Sequence, residues 1–201
     1  MDHTVEKIEA YRKLLQGEMP MATRCAIEWL MVEAARDLMN LPAGGIPWNG
    51  YELPSVIAIA NDAVAEAGRL METQFANIQL YLEPQDTLLL LACRNLPADF
   101  VDRFAAFRPD HCTSCSRVVD SGHRVVIEDV EQDEPFAAHR PIARSAGLRS
   151  VQSTPLQHDS GAVIGVMTTY FPKPRSFASD DFDRLDAHAR DVSRELAHAC
   201  G

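Results

Sequence analysis

The residues with the clearest chemical potential form the segment His111-Cys112-Thr113-Ser114-Cys115. Two thiols at CxxC spacing can form a redox pair or hold a metal ion. Cys115 is expected in the first turn of a helix, where the helix dipole favours a thiolate. No second CxxC and no HxxxH motif supplies the four ligands that a zinc site normally needs, so we expect no metal site. A redox role for Cys112 and Cys115, and a buried structural role, both stay open.

The elements that must position these side chains follow from two periodicities. Apolar residues at steps of three and four predict helices, whereas strict alternation predicts strands. The chain predicts helices over about 4–16, 21–41, 55–71, 97–107, 115–121, 135–146 and 179–199, and strands over 78–82, 87–92, 124–130, 150–156 and 162–171. Short turns at 84–86 and 158–161 join their flanking strands into antiparallel hairpins. Because long crossover helices are missing, an antiparallel sheet with helices on both faces fits best.

One segment marks a boundary between two parts of the chain. Residues 42–54 contain three Pro and three Gly, which predicts a linker. We therefore divide the chain into an N-terminal helical extension over 1–41, a linker over 42–54 and a domain over 55–201. The extension could pack on the terminal helices of the domain or form a surface that a partner recognises.

The last predicted helix carries a strict heptad stripe. Its apolar side chains recur at alternating steps of three and four, a spacing typical of a seam between helices. They are Phe182, Leu185, Ala189, Val192, Leu196 and Ala199. This stripe could meet a partner helix in a coiled coil, or it could cover the back of its own sheet.

Composition restricts the partners and the compartment. The 201 residues include 19 Lys and Arg against 29 Asp and Glu, and the resulting formal charge of −10 disfavours nucleic acid and anionic membranes as partners. No apolar run approaches the roughly 20 residues that cross a bilayer. The acidic N-terminus does not resemble a secretory signal, and five cysteines are an odd count. We therefore predict reduced thiols and a cytoplasmic location.

Four segments together carry a family resemblance. They are 95–100, then 115–122 with 125–130, then 133–136, and finally 146–156 followed by Gly161, 164–167 and 170–171. From about Val56 to Ala199, in order and spacing, the sequence resembles a GAF domain of the bacterial signalling type. It is most similar to the GAF domains that accompany histidine kinases.

The resemblance implies an α+β fold of the GAF/PAS type. Its core would be a six-stranded antiparallel sheet with a pair of terminal helices behind it. A ligand pocket would lie on the other face, roofed by the connecting segments 96–120 and 131–147. Such domains often dimerise through their first and last helices, so the resemblance also favours a homodimer.

The pocket residues that this implies come from the roof and from the central strands. Phe100 and Phe104 would line it from the first connecting segment, with Cys115 nearby, and Phe136 and His139 from the second. Ser153 or Thr154, and Thr168 or Thr169, would supply hydroxyl groups, since alternation points only one of each pair at the pocket. Each of these side chains could instead be ordinary core.

The sequence thus predicts a non-enzymatic small-molecule sensor that signals through its terminal helices. An alternative is a thiol redox sensor, or an enzyme resembling the GAF-type free methionine sulfoxide reductase, that uses Cys112 and Cys115. That family has a further cysteine where this chain has 133–140 without one. The signatures of cyclic-nucleotide and bilin GAF domains are missing, haem could be held only through His111, His123 or His139, and the ligand stays unnamed. A third alternative is an interaction module that has lost ligand binding.

Overall fold

The fold is built from the elements that the periodicities predict. The computed structural model describes residues 3–18, 23–24, 26–28, 30–31, 34 and 55–200. Its helices are α1 (His3–Leu14), α2 (Ser55–Leu70), α3 (Ala98–Arg103), α4 (Ser114–Ser121), α5 (Arg140–Ser145) and α6 (Asp180–Cys200). Its strands are β1 (Phe75–Leu82), β2 (Thr87–Arg94), β3 (Ala106–Phe107), β4 (Val125–Ile127), β5 (Ser150–Gln157) and β6 (Val163–Phe171), and 3-10 turns cover Glu83–Gln85 and Ala137–His139. The predicted linker 42–54 lies outside the described residues.

The six strands form one sheet in the order β3-β2-β1-β6-β5-β4. Every neighbouring pair is antiparallel, which confirms the predicted fold class. Gly165 on β6 permits the close approach of β1, because a Cβ atom there would lie 2.5 Å from the carbonyl oxygen of Gln79. The two central strands, β1 and β6, therefore pair closely at this position.

One face of the sheet is covered by α2 and α6, which also pack against each other. Ala76, Ile78 and Leu80 of β1 point to this side and join the largest hydrophobic core of the chain. The α6 stripe belongs to the same core: Leu185 and Leu196 are fully buried, and Ala189 and Val192 nearly so. Shortening either leucine to Ala would cost about 2–5 kcal/mol of stability.

The heptad stripe of α6 is therefore used within the chain. Its four central side chains cover the back of their own sheet and contact α2. A coiled coil through this stripe would have to expose that core. The homodimer stays a prediction, and its interface would have to use other faces of the helices.

The opposite face of the sheet is covered by the two connecting segments, which we call the roof. The first segment contains α3, β3 and α4, and the second contains the 3-10 turn Ala137–His139 followed by α5. Phe100 of α3 and Phe136 share a hydrophobic cluster with Val151 and Tyr170 on the sheet. The helix α4 begins where the Thr113 side chain accepts the N–H of Ser116, and it ends at Gly122, whose φ of 67° suits a residue without a Cβ atom.

The N-terminal extension packs on this domain. Tyr11 and Leu14 of α1 are buried in the same core as α2 and α6. The described positions among residues 23–34 are helical, and Ile27 is fully buried there. One turn before Tyr11 on the same face of α1, the Lys7 ammonium lies 2.5 Å from the Asp102 carboxylate of α3. The helix α1 thus contacts both the core behind the sheet and the roof in front of it.

Besides the helix expected over 135–146, which is observed as the 3-10 turn Ala137–His139 followed by α5, two predicted elements differ from those observed. The helix expected over 97–107 ends at Arg103, and Phe107 belongs instead to the short edge strand β3, which pairs with Leu88 and Leu89 of β2. The strand expected over 124–130 is shorter, because the chain leaves the sheet after Ile127. In both places pairing to a neighbouring strand, which no local pattern shows, decides where the element ends.

Candidate functional site

The structure buries one of the two thiols of the CxxC segment. Cys115 is the second residue of α4 and is buried, with its Sγ 3.2 Å from the Thr113 Oγ1. Burial raises the pKa of the Cys115 thiol to about 11, even though the Thr113 side chain and backbone N–H groups favour the thiolate. The cost of burying a charge thus outweighs these hydrogen bonds, and the thiol is protonated at neutral pH. Cys112 and Cys115 are both free cysteines.

Asp110 organises the turn that carries these cysteines. Its Oδ1 accepts the backbone N–H groups of Cys112 and Thr113 at 3.0 and 3.2 Å. Its Oδ2 lies 2.6 Å from Nε2 of His139, a buried residue of the second connecting segment. Burial alone would raise the pKa of Asp110, but these N–H groups and His139 hold it below its ordinary value. The ionised carboxylate therefore joins the two halves of the roof.

The roof places aromatic rings over the sheet. Phe100 packs against Phe104 with ring centroids 4.9 Å apart, and it meets Tyr170 of β6 edge-on at 5.4 Å. The His139 ring lies 5.8 Å from Phe104 and 5.6 Å from Phe136. These contacts bring four predicted site residues into one layer, and Tyr170, which the sequence did not single out, belongs with them.

Beneath this layer, the central strands present a row of polar side chains, which we call the polar floor. Asn77, Thr168 and Ser153 lie side by side on β1, β6 and β5. Ser153 Oγ lies 2.8 Å from Thr168 Oγ1 and donates to Ser114 Oγ of α4 at 2.8 Å. The predicted site residues Ser153 and Thr168 therefore face the roof.

Their neighbours along the strands face the opposite side. Thr169 accepts a hydrogen bond from Gln152 Nε2 at 3.1 Å, and Thr154 donates to Gln152 Oε1 at 3.0 Å. Arg124 donates to Thr154 and also lies over the Phe182 ring of α6. This settles the choice that strand alternation had left open: Ser153 and Thr168 belong to the roof side, Thr154 and Thr169 to the α6 side.

Gln79, two residues after Asn77 on β1, extends the polar floor along that strand. Each of the two is only 1% exposed. Asn77 Nδ2 donates to the Tyr170 hydroxyl at 2.9 Å, and Gln79 Nε2 donates to the Phe104 carbonyl oxygen at 3.4 Å. The oxygen atoms Asn77 Oδ1 and Gln79 Oε1 have no hydrogen-bond partner in the described part of the chain. A buried carbonyl without a partner costs about 1–3 kcal/mol, so the fold carries a penalty at this place.

Sequence reasoning missed Asn77 and Gln79, although a signal was present. In β1, polar Asn77 and Gln79 alternate with apolar Ile78 and Leu80. That pattern normally indicates one buried and one solvated face. In a sheet with helices on both faces, however, the polar side of the alternation is also buried. In such a fold, an alternating strand therefore predicts a row of polar side chains that is buried inside the protein.

A groove reaches the roof from outside. It has a volume of about 780 Å³ and lies between α1, α3 and the second connecting segment. Lys7 lines it from α1, Asp102 and Ala105 from the first connecting segment, and Asp110 and His139 from the pair that joins the roof. His139 thus belongs both to the groove and to the aromatic layer, so the groove ends at the layer that covers the polar floor.

Two further observations concern metals and membranes. Across the residues that the structure describes, no group of three or more His, Cys, Asp and Glu side chains could hold a metal ion. His111 pairs instead with Asp120 at 2.6 Å and is largely exposed. Within the same described portion, no helix is long and apolar enough to cross a bilayer.

Comparison with known proteins identifies relatives of this arrangement. A family model described as a GAF domain matches residues 55–197. None of the curated proteins compared with the chain matches it.

Solved structures with the same fold come from several bacteria. The domain assigned to a two-component sensor histidine kinase of Sinorhizobium meliloti 1021 is 18% identical, with a TM-score of 0.59 over 71% of this chain and 90% of that one. The GAF domain of an Acinetobacter phosphoenolpyruvate-protein phosphotransferase is 18% identical, with a TM-score of 0.57 over 75% and 86%. Free methionine-R-sulfoxide reductase from Neisseria meningitidis is 20% identical, with a TM-score of 0.59 over 72% and 79%. At these identities the likeness concerns the fold alone.

Proposed function

The chain belongs to the GAF domain family, and from this premise we propose that it is a non-enzymatic cytoplasmic sensor of bacterial signal transduction. A small molecule binds between the polar floor and the roof. The observation that carries this proposal is that two side-chain carbonyl oxygens of the floor, Asn77 Oδ1 and Gln79 Oε1, are buried on β1 without a hydrogen-bond partner among the described residues. Buried polar groups in native proteins are almost always hydrogen-bonded, so two unpaired oxygens on the same face of one strand favour a partner from outside the described chain.

The arrangement around the floor supports a binding role. Phe100, Phe104 and Tyr170 supply apolar surface, and Ser153 and Thr168 supply hydroxyl groups. Ligand pockets commonly combine apolar walls with a few convergent polar groups. The aromatic layer ends at His139, which also lines the outer groove, so a change at the ligand can move the Asp110–His139 contact.

The helices supply the route for a signal. α1 contacts the roof through the Lys7–Asp102 ion pair and the rear core through Tyr11 and Leu14. Ligand binding that shifts α3 would therefore change how α1 packs into the core that it shares with α2 and α6, and a partner could recognise the exposed faces of these helices. A homodimer through the first and last helices of the domain remains part of this proposal, and light scattering at several concentrations would measure it.

The thiol alternative is less well supported. Cys115 is buried and its pKa is raised to about 11, whereas a catalytic thiol needs a lowered pKa and access to its substrate. The fold shared with a methionine sulfoxide reductase does not carry that enzyme's chemistry to this chain.

Native mass spectrometry tests the sensor proposal. The protein, purified without a denaturing step, is compared with the same sample after denaturation. We expect an additional small-molecule mass that is released on unfolding. If the native protein carries no such mass, and a bacterial metabolite extract does not raise its melting temperature, the sensor proposal is overturned and the interaction-module alternative is favoured.

A further inference from the structure

The chemistry of the polar floor narrows the class of ligand. Gln79 is fixed in one orientation, because its Nε2 faces the Phe104 carbonyl oxygen, and a carbonyl oxygen can only accept a hydrogen bond. Its own Oε1 must then face elsewhere, and it has no partner among the described residues. Asn77 has the same bonding pattern, with its Nδ2 donating to the Tyr170 hydroxyl and its Oδ1 unpaired. That hydroxyl can donate as well as accept, so the partner fixes the orientation of the amide only at Gln79.

Gln152 is a buried glutamine whose amide is hydrogen-bonded at both ends within the protein. Like Gln79 it is fully buried on a central strand, but it lies on the opposite face. Its Nε2 donates to Thr169 and its Oε1 accepts from Thr154. Both ends of that amide are paired within the protein, whereas each amide of the floor is paired only at its nitrogen.

The two unpaired oxygens share one face of one strand. Asn77 and Gln79 are two residues apart on β1, so their Cα atoms lie about 6.6–6.8 Å apart and their side chains point the same way. The groups around them that accept or donate are neutral: the Tyr170 hydroxyl, the Phe104 carbonyl and the Thr168 hydroxyl beside Asn77. The rings of Phe100 and Phe104 pack above the same cluster.

We propose that the ligand of this site is a flat, uncharged molecule that presents N–H donors to the Gln79 and Asn77 carbonyl oxygens, as a primary amide or an amino-substituted aromatic ring does. The inference rests on the proposed sensor function and names its ligand class. Carboxylates and phosphates are excluded because the carbonyl oxygens would repel them and no cation among the described hydrogen-bond partners of the floor would offset their charge. The aromatic rings contribute apolar contact to the flat face of such a molecule.

A matched pair of probes tests the ligand class directly. Benzamide carries two N–H donors, whereas N,N-dimethylbenzamide keeps the ring and the carbonyl but has no donor. Each is titrated into the protein while the side-chain amide signals of glutamine and asparagine are followed by ¹H–¹⁵N NMR. We expect benzamide to shift the Gln79 and Asn77 signals, and the dimethylated probe and benzoate to leave them in place.

Two variants test whether benzamide binding depends on the unpaired Oε1 of Gln79. Gln79→Met should weaken benzamide binding about tenfold, the factor expected for one hydrogen bond of moderate strength. Gln152→Met, which changes a paired glutamine on the other face, should leave the affinity unchanged. Equal binding of the two benzamides, binding that does not depend on Gln79, or no shift of either signal would overturn the ligand class. The retained mass in the native spectrum decides separately whether the site holds any small molecule.

Discussion

Asp110 and His139 lie 29 positions apart in the chain, yet Oδ2 of Asp110 is 2.6 Å from Nε2 of His139. The contact ties the turn before α4 to the turn before α5, and the bidentate Arg117–Asp133 pair joins the same two connecting segments. The Asp110 carboxylate is also the acceptor for the N–H groups of Cys112 and Thr113. Loss of its charge should therefore loosen both connecting segments together.

The first prediction concerns acid. The pKa of Asp110 in the folded protein lies below its ordinary value of 3.8, so its contribution to stability is present above that value and is lost as the pH falls through the folded value. Asp110→Asn cannot lose a charge there. We expect the free energy of unfolding, measured with urea between about pH 3 and pH 6, to fall more steeply in the wild type than in the variant. Parallel curves would contradict the role given to this carboxylate.

The second prediction compares two buried glutamines. Gln152→Met removes an amide that is paired at both ends, so Thr169 and Thr154 each lose one hydrogen bond. Gln79→Met removes an amide whose oxygen is unpaired and whose nitrogen makes one long bond of 3.4 Å. We expect the Gln152 variant to lose about 1–3 kcal/mol more stability than the Gln79 variant, measured by urea unfolding without ligand. Equal losses would mean that Gln79 is paired as well as Gln152.

The third prediction concerns the thiol. With a pKa of about 11, only about one Cys115 thiol in ten thousand is ionised at pH 7. We expect Cys115 to stay unmodified by iodoacetamide and mild peroxide in the folded protein, and to react after denaturation. Cys93 serves as the internal control: burial raises the pKa of its thiol too, but the residue is exposed and should react in both states, faster than Cys115 in the folded protein. Rapid modification of Cys115 in the folded protein, measured by peptide mass spectrometry, would restore the redox alternative.

The fourth prediction concerns the N-terminal helix. The Lys7–Asp102 pair is mostly buried, with 14% and 21% of the side chains exposed, and it links α1 to the roof. Asp102→Asn should therefore speed amide hydrogen exchange in residues 3–14 and leave α2 unchanged. Asp99→Asn, at an exposed position of the same helix α3, is the matched control. If both variants exchange like the wild type, α1 is held by its apolar contacts alone.

The sequence predicted the main elements of this fold because each has a strong local pattern. The alternation in β1 and the apolar periodicity of α2 and α6 each appear within a few residues. Edge strand β3 has only two residues, and its existence depends on pairing with β2. Such pairing joins distant parts of the chain, so local periodicity extended a helix through Phe107 instead.

The sequence predicted which residues of the candidate site lie together, but not which of their polar atoms are hydrogen-bonded. Phe100, Phe104, Phe136 and His139 do meet in one layer, as the resemblance implied. The unpaired oxygens of Asn77 and Gln79 could not be predicted, because pairing depends on which side chains meet across the sheet. The spacing of the heptad stripe of α6 likewise fits either a partner helix or the back of its own sheet. Only the packing shows that the stripe contacts α2 and the sheet.

The central claim is that a small molecule binds between floor and roof, and a matched pair of variants tests it most directly. Thr168 and Thr169 are adjacent, both buried, and each hydroxyl bonds one side chain, but only Thr168 faces the roof. Replacing either by Val should cost a similar amount of stability, about 1 kcal/mol. The measurement is the fraction of protein that retains a small molecule in the native mass spectrum. The account predicts that Thr168→Val, with an affinity about tenfold lower, retains a smaller ligand-bound fraction than the wild type, and that Thr169→Val retains the same fraction as the wild type. Equal retention by both variants, or no retained mass in the wild type, would contradict it.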